Sequence, residues 1–251
     1  MCRSADWIDA RRFARTAMGV AVCALVLIVV CVVGTRAVNV SWKAVASYGT
    51  AISLLPNSHA TAGAWVVRYH GLKKPSETNQ MLVATMRIYM EHCECDKPGK
   101  PTNWLVAEGL RKYFSARGHR GTSITERCRY SSNSSEKAGL SEYKAAIDAN
   151  RPVVLTFCYD AAAANNLATA KKRISNCFSV VGIGYMKYGD TYFLICHDGF
   201  SIPPTTGSAS LDRVSPQSLG INTEGKPWGQ RGTTLYKWDG AYKNLVMVFV
   251  D

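Results

Sequence analysis

The chain has 251 residues, of which 47% are hydrophobic, 19% charged and 10% aromatic. This composition is typical of a globular protein, and it excludes a disordered tail, a collagen and a coiled-coil rod. Thirty basic against eighteen acidic residues give a net charge of +12, which favours anionic partners in general. Because the sequence has no Arg-rich helix, no basic stripe interleaved with aromatics and no zinc-finger spacing, we expect no nucleic-acid binding.

An uncharged apolar run lies near the N-terminus, from Ala17 to Gly34. As a helix it would be about 27 Å long, close to the thickness of the hydrocarbon core of a bilayer. Arg11, Arg12 and Arg15 precede it, so the positive-inside rule predicts a cytoplasmic N-terminus and an exported remainder. We therefore expect a cytoplasmic segment at residues 1–16 and a single-pass signal-anchor at 17–34.

Two alternatives remain for this run. A cleaved signal peptide would have Val32 and Gly34 next to its cleavage site, although the run is longer than the usual 7–15 residues. A lipoprotein would be modified at Cys31, although Val30 is larger than the small residue expected before a lipidated Cys. All three interpretations place the globular part in the periplasm, outside the cell or in a lumen.

The exported chain begins with helical patterns. Residues 35–56 show no clear period, and we interpret them as a juxtamembrane connection before a globular domain at 57–251. Capping residues, apolar spacing and terminal glycines predict helices over residues 57–71, 78–92, 102–118 and 141–150.

In the second half of the chain, the hydrophobic residues no longer follow a helical spacing. Short β-branched and aromatic runs predict strands over residues 153–159, 179–185, 191–196 and 245–250. The fold class expected from helices followed by antiparallel strands is α+β.

Six cysteines lie in the exported part, and an even number there indicates disulfides, with fifteen pairings open if all are used. They are Cys93, Cys95, Cys128, Cys158, Cys177 and Cys196. Because Cys158 ends one predicted strand and Cys177 comes just before the next, we expect these two to pair. Cys93 or Cys95 can similarly reach Cys128. The Cys93-x-Cys95 spacing is too tight for a zinc knuckle, so we expect no metal and no cofactor.

Four segments in order resemble the papain-fold cysteine peptidases of the double-glycine-leader (bacteriocin-processing) type. The first, from Asn57 to His70, resembles the helix that begins with the catalytic Cys of that family. Thr102 to Gly118 resembles its next helix, and Asp148 to Leu155 the turn into its first sheet strand. Phe178 to Gly199 resembles the strand pair that carries the catalytic His and Asp. The resemblance implies a papain-like fold, in which helices pack on an antiparallel sheet.

The resemblance also implies positions for a catalytic triad, and two of the three carry other residues. Ser58 stands at the position of the Cys nucleophile, Phe178 at that of the His base, and only Asp198 matches. No Gln precedes Ser58 within residues 51–57 to complete an oxyanion hole. Serine without a base is a poor nucleophile, and phenylalanine transfers no proton. We expect the side chains of Ser58, Phe178 and Asp198 to converge in one cleft that does no chemistry.

Three other residues are candidates for a relocated site. His59 and His197 adjoin the matched positions and should point away from their neighbours, His59 towards solvent and His197 onto a sheet face or into a loop mouth. Cys177 could serve as a displaced thiol, although a disulfide is favoured there.

The function expected from this resemblance is a membrane-anchored pseudoenzyme that binds a peptide or protein in the former substrate groove. One alternative is a hydrolase that uses Cys177 or Ser58 with His197 or His59. A second is a purely structural surface domain. A catalytic pair would have to lie within about 3–4 Å.

Overall fold

The computed structural model describes residues 40–46, 52, 58–91, 104–128, 139–158, 177–198, 213–214, 216–240 and 244–251. They belong to one compact unit that spans Val40–Asp251. The apolar run at 17–34 and residues Cys93 and Cys95 lie outside this described part, as does the side chain of Cys128. None of the helices within it combines the length and the apolar character that crossing a membrane requires.

Four helices form where the sequence pattern predicts them. They are α1 (Ser58–Tyr69), α2 (Asn79–Glu91), α3 (Trp104–Ala116) and α4 (Leu140–Asp148). Every residue of α1 from Ala60 to Val67 is buried, as expected for a central helix that is apolar on all sides. Gly63 brings α1 close to α2, because a Cβ at this position would lie 2.9 Å from the terminal methyl groups of Met86 and Met90.

The described strands form one antiparallel sheet. They are β1 (Val40–Ala44), β2 (Ile124–Cys128), β3 (Val153–Cys158), β4 (Cys177–Tyr188), β5 (Thr191–His197), β6 (Arg213–Val214), β7 (Thr233–Lys237) and β8 (Asn244–Val250). Their order is β2-β8-β3-β4-β5-β7-β6, and β1 also pairs with β4. Short 3-10 helices lie at Pro216–Leu219 and Pro227–Gly229. The α+β class predicted from the sequence is confirmed.

The register of β3 and β4 decides which side chains face α1. Thr156 pairs with Ser179, and Phe157 pairs with Phe178. Successive side chains of a strand point to opposite faces, so the two pairs lie on different faces of the sheet. The hydroxyls of Thr156 and Ser179 lie 2.7 Å apart on the α1 face. The rings of Phe157 and Phe178 stack on the other face, with centroids 5.5 Å apart.

The segment interpreted as a juxtamembrane connection, residues 35–56, contains strand β1. Its residues V-S-W-K-A alternate apolar and polar over only five positions, and Val40 to Lys43 are all exposed, so this alternation marks no buried face. Its pairing depends on Gly184 of β4, where a Cβ would lie 2.5 Å from the carbonyl oxygen of Lys43. The globular unit therefore begins earlier than residue 57.

A disulfide joins Cys158 to Cys177, which lie opposite each other at the adjoining ends of β3 and β4. The pairing predicted for these two cysteines is confirmed. Cys196 on β5 keeps a free thiol and is buried, so the six cysteines that follow residue 35 are not all paired. The proposed partners of Cys128 lie outside the described residues.

Candidate functional site

A small, partly open cleft, with room for about one water molecule, lies between the first turns of α1 and the strands β4 and β5. Apolar and polar side chains both line it. The lining residues are Ile52, Ser58, Thr61, Ala62, Trp65, Ser179, Val180, Val181, His197 and Asp198. Ser58 and Asp198, two of the three positions predicted to converge, are among them.

Ser58 is the first residue of α1, the end of the helix at which the dipole gives a partial positive charge. Its hydroxyl accepts a hydrogen bond from the backbone N–H of Ser179, with 3.2 Å between oxygen and nitrogen. The positive end of the dipole would stabilise the anionic form of a nucleophile at this position. A serine hydroxyl also needs a base, and the hydrogen bond of Ser58 involves no imidazole.

Phe178 does not reach the cleft, which corrects the expectation from the sequence. Its ring stacks on Phe157 and lies 6.0 Å from the ring of Tyr236. Ser179, one residue later, is the side chain that faces α1. The alternation of side chains along β4 is the physical reason, since only one of two consecutive residues can face the helix.

The carboxylate of Asp198 is engaged by a cation. Its Oδ2 atom lies 2.7 Å from the guanidinium of Arg213, and the two side chains are 0% and 7% exposed. The hydroxyl of Tyr236 donates a longer hydrogen bond to the same oxygen, at 3.3 Å. Asp198 therefore acts as the buried counter-ion of Arg213.

His197 lies on the sheet face, as predicted. It is 5% exposed, and its Nδ1 atom is 2.9 Å from the hydroxyl of Thr233. Its ring lies 5.1 Å from that of Trp65, so it forms part of the cleft wall. Cys177, the third candidate, is held in the disulfide and offers no thiol.

The position of the His59 ring contradicts the prediction that this side chain points towards solvent. The ring is half-buried, and its Nδ1 atom lies 2.6 Å from the hydroxyl oxygen of Ser179. Burial lowers the pKa of His59 to about 4, so the imidazole is neutral at physiological pH. Sequence reasoning missed Ser179, although the two-residue period of a strand already indicates that Phe178 and Ser179 cannot both face the helix.

Among the described residues, no group of three His, Cys, Asp or Glu side chains is arranged to hold a metal ion. The cleft residues with ligand atoms are instead committed to protein contacts, His197 to Thr233 and Asp198 to Arg213.

No protein-family model matches the chain, and no curated protein matches it significantly.

Proposed function

We propose that this protein is a membrane-anchored, exported module with a papain-like architecture that binds a polypeptide in the cleft at the start of α1. It lacks the thiol and imidazole of the peptidases that it resembles, so it does not turn over peptides as they do. The single observation that carries the proposal is the cleft itself, lined by Ser58 at a helix start and by strand residues of β4 and β5.

The composition of the cleft favours a peptide over a small charged ligand. Trp65, Ile52 and Val181 offer apolar contacts, and the hydroxyls of Ser58 and Ser179 offer hydrogen-bonding groups. The charges of Asp198 and Arg213 neutralise each other, so no net charge selects an ion. Apolar contacts combined with backbone hydrogen bonds are the usual means of holding an extended peptide.

The loss of catalysis follows from the contacts of the triad positions. The ring of Phe178 packs on Phe157 and Tyr236 on the far face of the sheet. The family likeness is therefore proposed for the helix-on-sheet architecture and the cleft, and not for the residue-by-residue triad. Removing one triad member costs a working enzyme about 10⁴-fold in rate, and here nucleophile and base both differ.

The anchoring part of the proposal comes from the sequence. The uncharged run Ala17–Gly34 follows Arg11, Arg12 and Arg15, and residues 37–251 carry +9 of the net charge. The disulfide Cys158–Cys177 supports an oxidising compartment. Export and disulfide formation are thus mutually consistent.

Peptide binding can be tested with the full chain in detergent on an array of random decapeptides. Ser58→Phe puts a ring at the half-exposed edge of the cleft, and Ser76→Phe is the matched control on an exposed loop. We expect wild-type protein and the control to retain one set of peptides that Ser58→Phe loses at least tenfold. Absence of any bound peptide, or equal binding by all three proteins, would overturn the proposal.

A further inference from the structure

Ser179 makes hydrogen bonds to two side chains on the α1 face of the sheet. Its hydroxyl oxygen lies 2.6 Å from Nδ1 of His59 and 2.7 Å from the hydroxyl of Thr156. Its backbone N–H donates to Ser58. Although Ser179 is only 3% exposed, it lines the cleft, so a ligand there would meet this hydroxyl.

We propose that Ser179 is a nucleophile with His59 as its base, and that it takes an acyl group from an ester or amide held in the cleft. This inference rests on the proposed function, because it needs a ligand in the same cleft. Compared with the peptidases that the chain resembles, the nucleophile and the base have exchanged places between the helix and the strand. The imidazole lies on the helix and the nucleophile on the strand, opposite to the thiol-on-helix pattern that the resemblance implied.

The hydrogen bonds among Thr156, Ser179 and His59 can all run in one direction, from the hydroxyl of Thr156 to that of Ser179 and on to the imidazole. With the imidazole proton on Nε2, the Nδ1 atom of His59 accepts from the Ser179 hydroxyl. Ser179 in turn accepts from the hydroxyl of Thr156. Thr156 thereby holds the oxygen of Ser179 while leaving its proton directed at the base. This is the geometry expected of a nucleophile and its general base.

The reaction follows from that geometry. The Ser179 oxygen attacks the carbonyl carbon and forms the new C–O bond while its proton passes to Nδ1 of His59. The bond from that carbon to the leaving oxygen or nitrogen then breaks, and the leaving group takes the proton from His59. The acyl group stays on Ser179 until water, deprotonated by the same imidazole, releases it as a carboxylic acid.

Two features of the fold affect this step in opposite directions. The start of α1 lies beside Ser179, and its positive dipole end would stabilise the oxyanion of the tetrahedral intermediate. His59, in contrast, has no carboxylate among its hydrogen-bond partners in the described part of the chain; its partner is the Ser179 hydroxyl. Burial also lowers the pKa of this imidazole to about 4, which makes it a weaker base than one that titrates near neutral pH. Because a triad without its carboxylate is about 10⁴-fold slower, we expect acylation of Ser179 without rapid turnover.

The test uses the full chain in detergent with a fluorophosphonate reagent, whose phosphorus bonds to an activated serine oxygen as fluoride leaves. Peptide mass mapping should find the adduct on Ser179. We expect Ser179→Ala to lose the adduct, His59→Gln to slow labelling at least tenfold, and the exposed-loop control Ser76→Ala to label like wild type.

A further variant guards against a folding defect. Ser179→Cys keeps the size of the side chain, and its thiol should react with iodoacetamide faster than the same thiol in a His59→Gln background. Unlabelled wild-type protein, or an adduct that survives in Ser179→Ala, would overturn the inference. If the labelling test fails but Ser179→Ala still binds the peptides selected on the array, the proposed function stands. If wild-type protein binds no peptide, both proposals are refuted.

Discussion

Asp198 and Arg213 form a buried ion pair, with 2.7 Å between the carboxylate and guanidinium groups and almost no exposure of either side chain. Removing one partner of such a pair leaves an uncompensated charge inside the protein. We expect Arg213→Met to lower the free energy of unfolding by about 3–5 kcal/mol, as measured by urea denaturation.

The exposed pair of Arg111 and Glu108 provides the control, since both of its side chains are more than a third exposed. Glu108→Gln should change the free energy of unfolding by no more than about 1 kcal/mol. Equal losses in the two variants would show that Asp198 and Arg213 are not buried against each other.

Much of this architecture could be predicted from the sequence, because the helices have an apolar period and the central strands are short runs of β-branched and aromatic residues. The strand β1 could not, since its exposed residues are held by pairing with β4 beside Gly184. The two-residue strand β6 is too short to show any period. Neither the five-residue alternation of β1 nor the two residues of β6 is long enough to identify a strand without its pairing partner.

The cleft was predictable only in part. The helix start at Ser58 and the strand around Ser179 follow from capping and β-branched residues. The choice between Phe178 and Ser179 depends on the register of β4 against β3, which no local pattern fixes. A shift of one residue in a strand moves every side chain to the other face.

That register makes a direct prediction about restoring a thiol–imidazole pair. Ser58→Cys combined with Ser179→His places an imidazole on the face towards α1, whereas Ser58→Cys combined with Phe178→His places it on the far face. We expect hydrolysis of an activated thioester from the first pair at least a hundredfold above the second, measured by thiol release. Greater activity from the Phe178→His pair would mean that the strand is registered differently.

The half-buried carboxyl of Glu126 predicts a dependence of stability on pH. Burial raises its pKa from 4.5 to about 7, although the positive charge of Arg111 acts to lower the pKa. The unfolded chain therefore ionises Glu126 first as the pH rises, and stability falls between about pH 4.5 and 7.

Removal of this carboxyl should reverse the loss. We expect Glu126→Gln to match wild type at pH 4 and to exceed its free energy of unfolding by about 2 kcal/mol at pH 8. Glu224→Gln, on an exposed turn, should follow wild type at both pH values. If Glu126→Gln and wild type have the same free energy of unfolding at pH 8, the raised pKa is refuted.

The disulfide between Cys158 and Cys177 closes a loop with a sequence separation of 19. Replacing both cysteines by Ala should lower the free energy of unfolding by about 3 kcal/mol, because the unfolded chain gains conformational freedom. Non-reducing peptide mapping should recover the two linked, and urea denaturation gives the energy. Recovery of both as free thiols would contradict the bond.

The proposed membrane topology depends on the apolar run at 17–34. A protease added outside intact cells should degrade most of the chain and spare a fragment of roughly 35–45 residues, because a bilayer protects a span of about 20 residues and what precedes it. Immunoblotting with an N-terminal tag detects this fragment. Protection of the whole chain would contradict export.

Binding of a polypeptide in the cleft is tested most directly by the position of crosslinks. A peptide selected on the array, carrying a benzophenone side chain at its centre, would be irradiated with the full chain and the adduct mapped by mass spectrometry. We expect crosslinks to the first turns of α1 and to the β4 and β5 residues around Ser179 and His197. Crosslinks confined to residues outside the cleft lining, such as the exposed Met81 and Ile88 of α2, would contradict it.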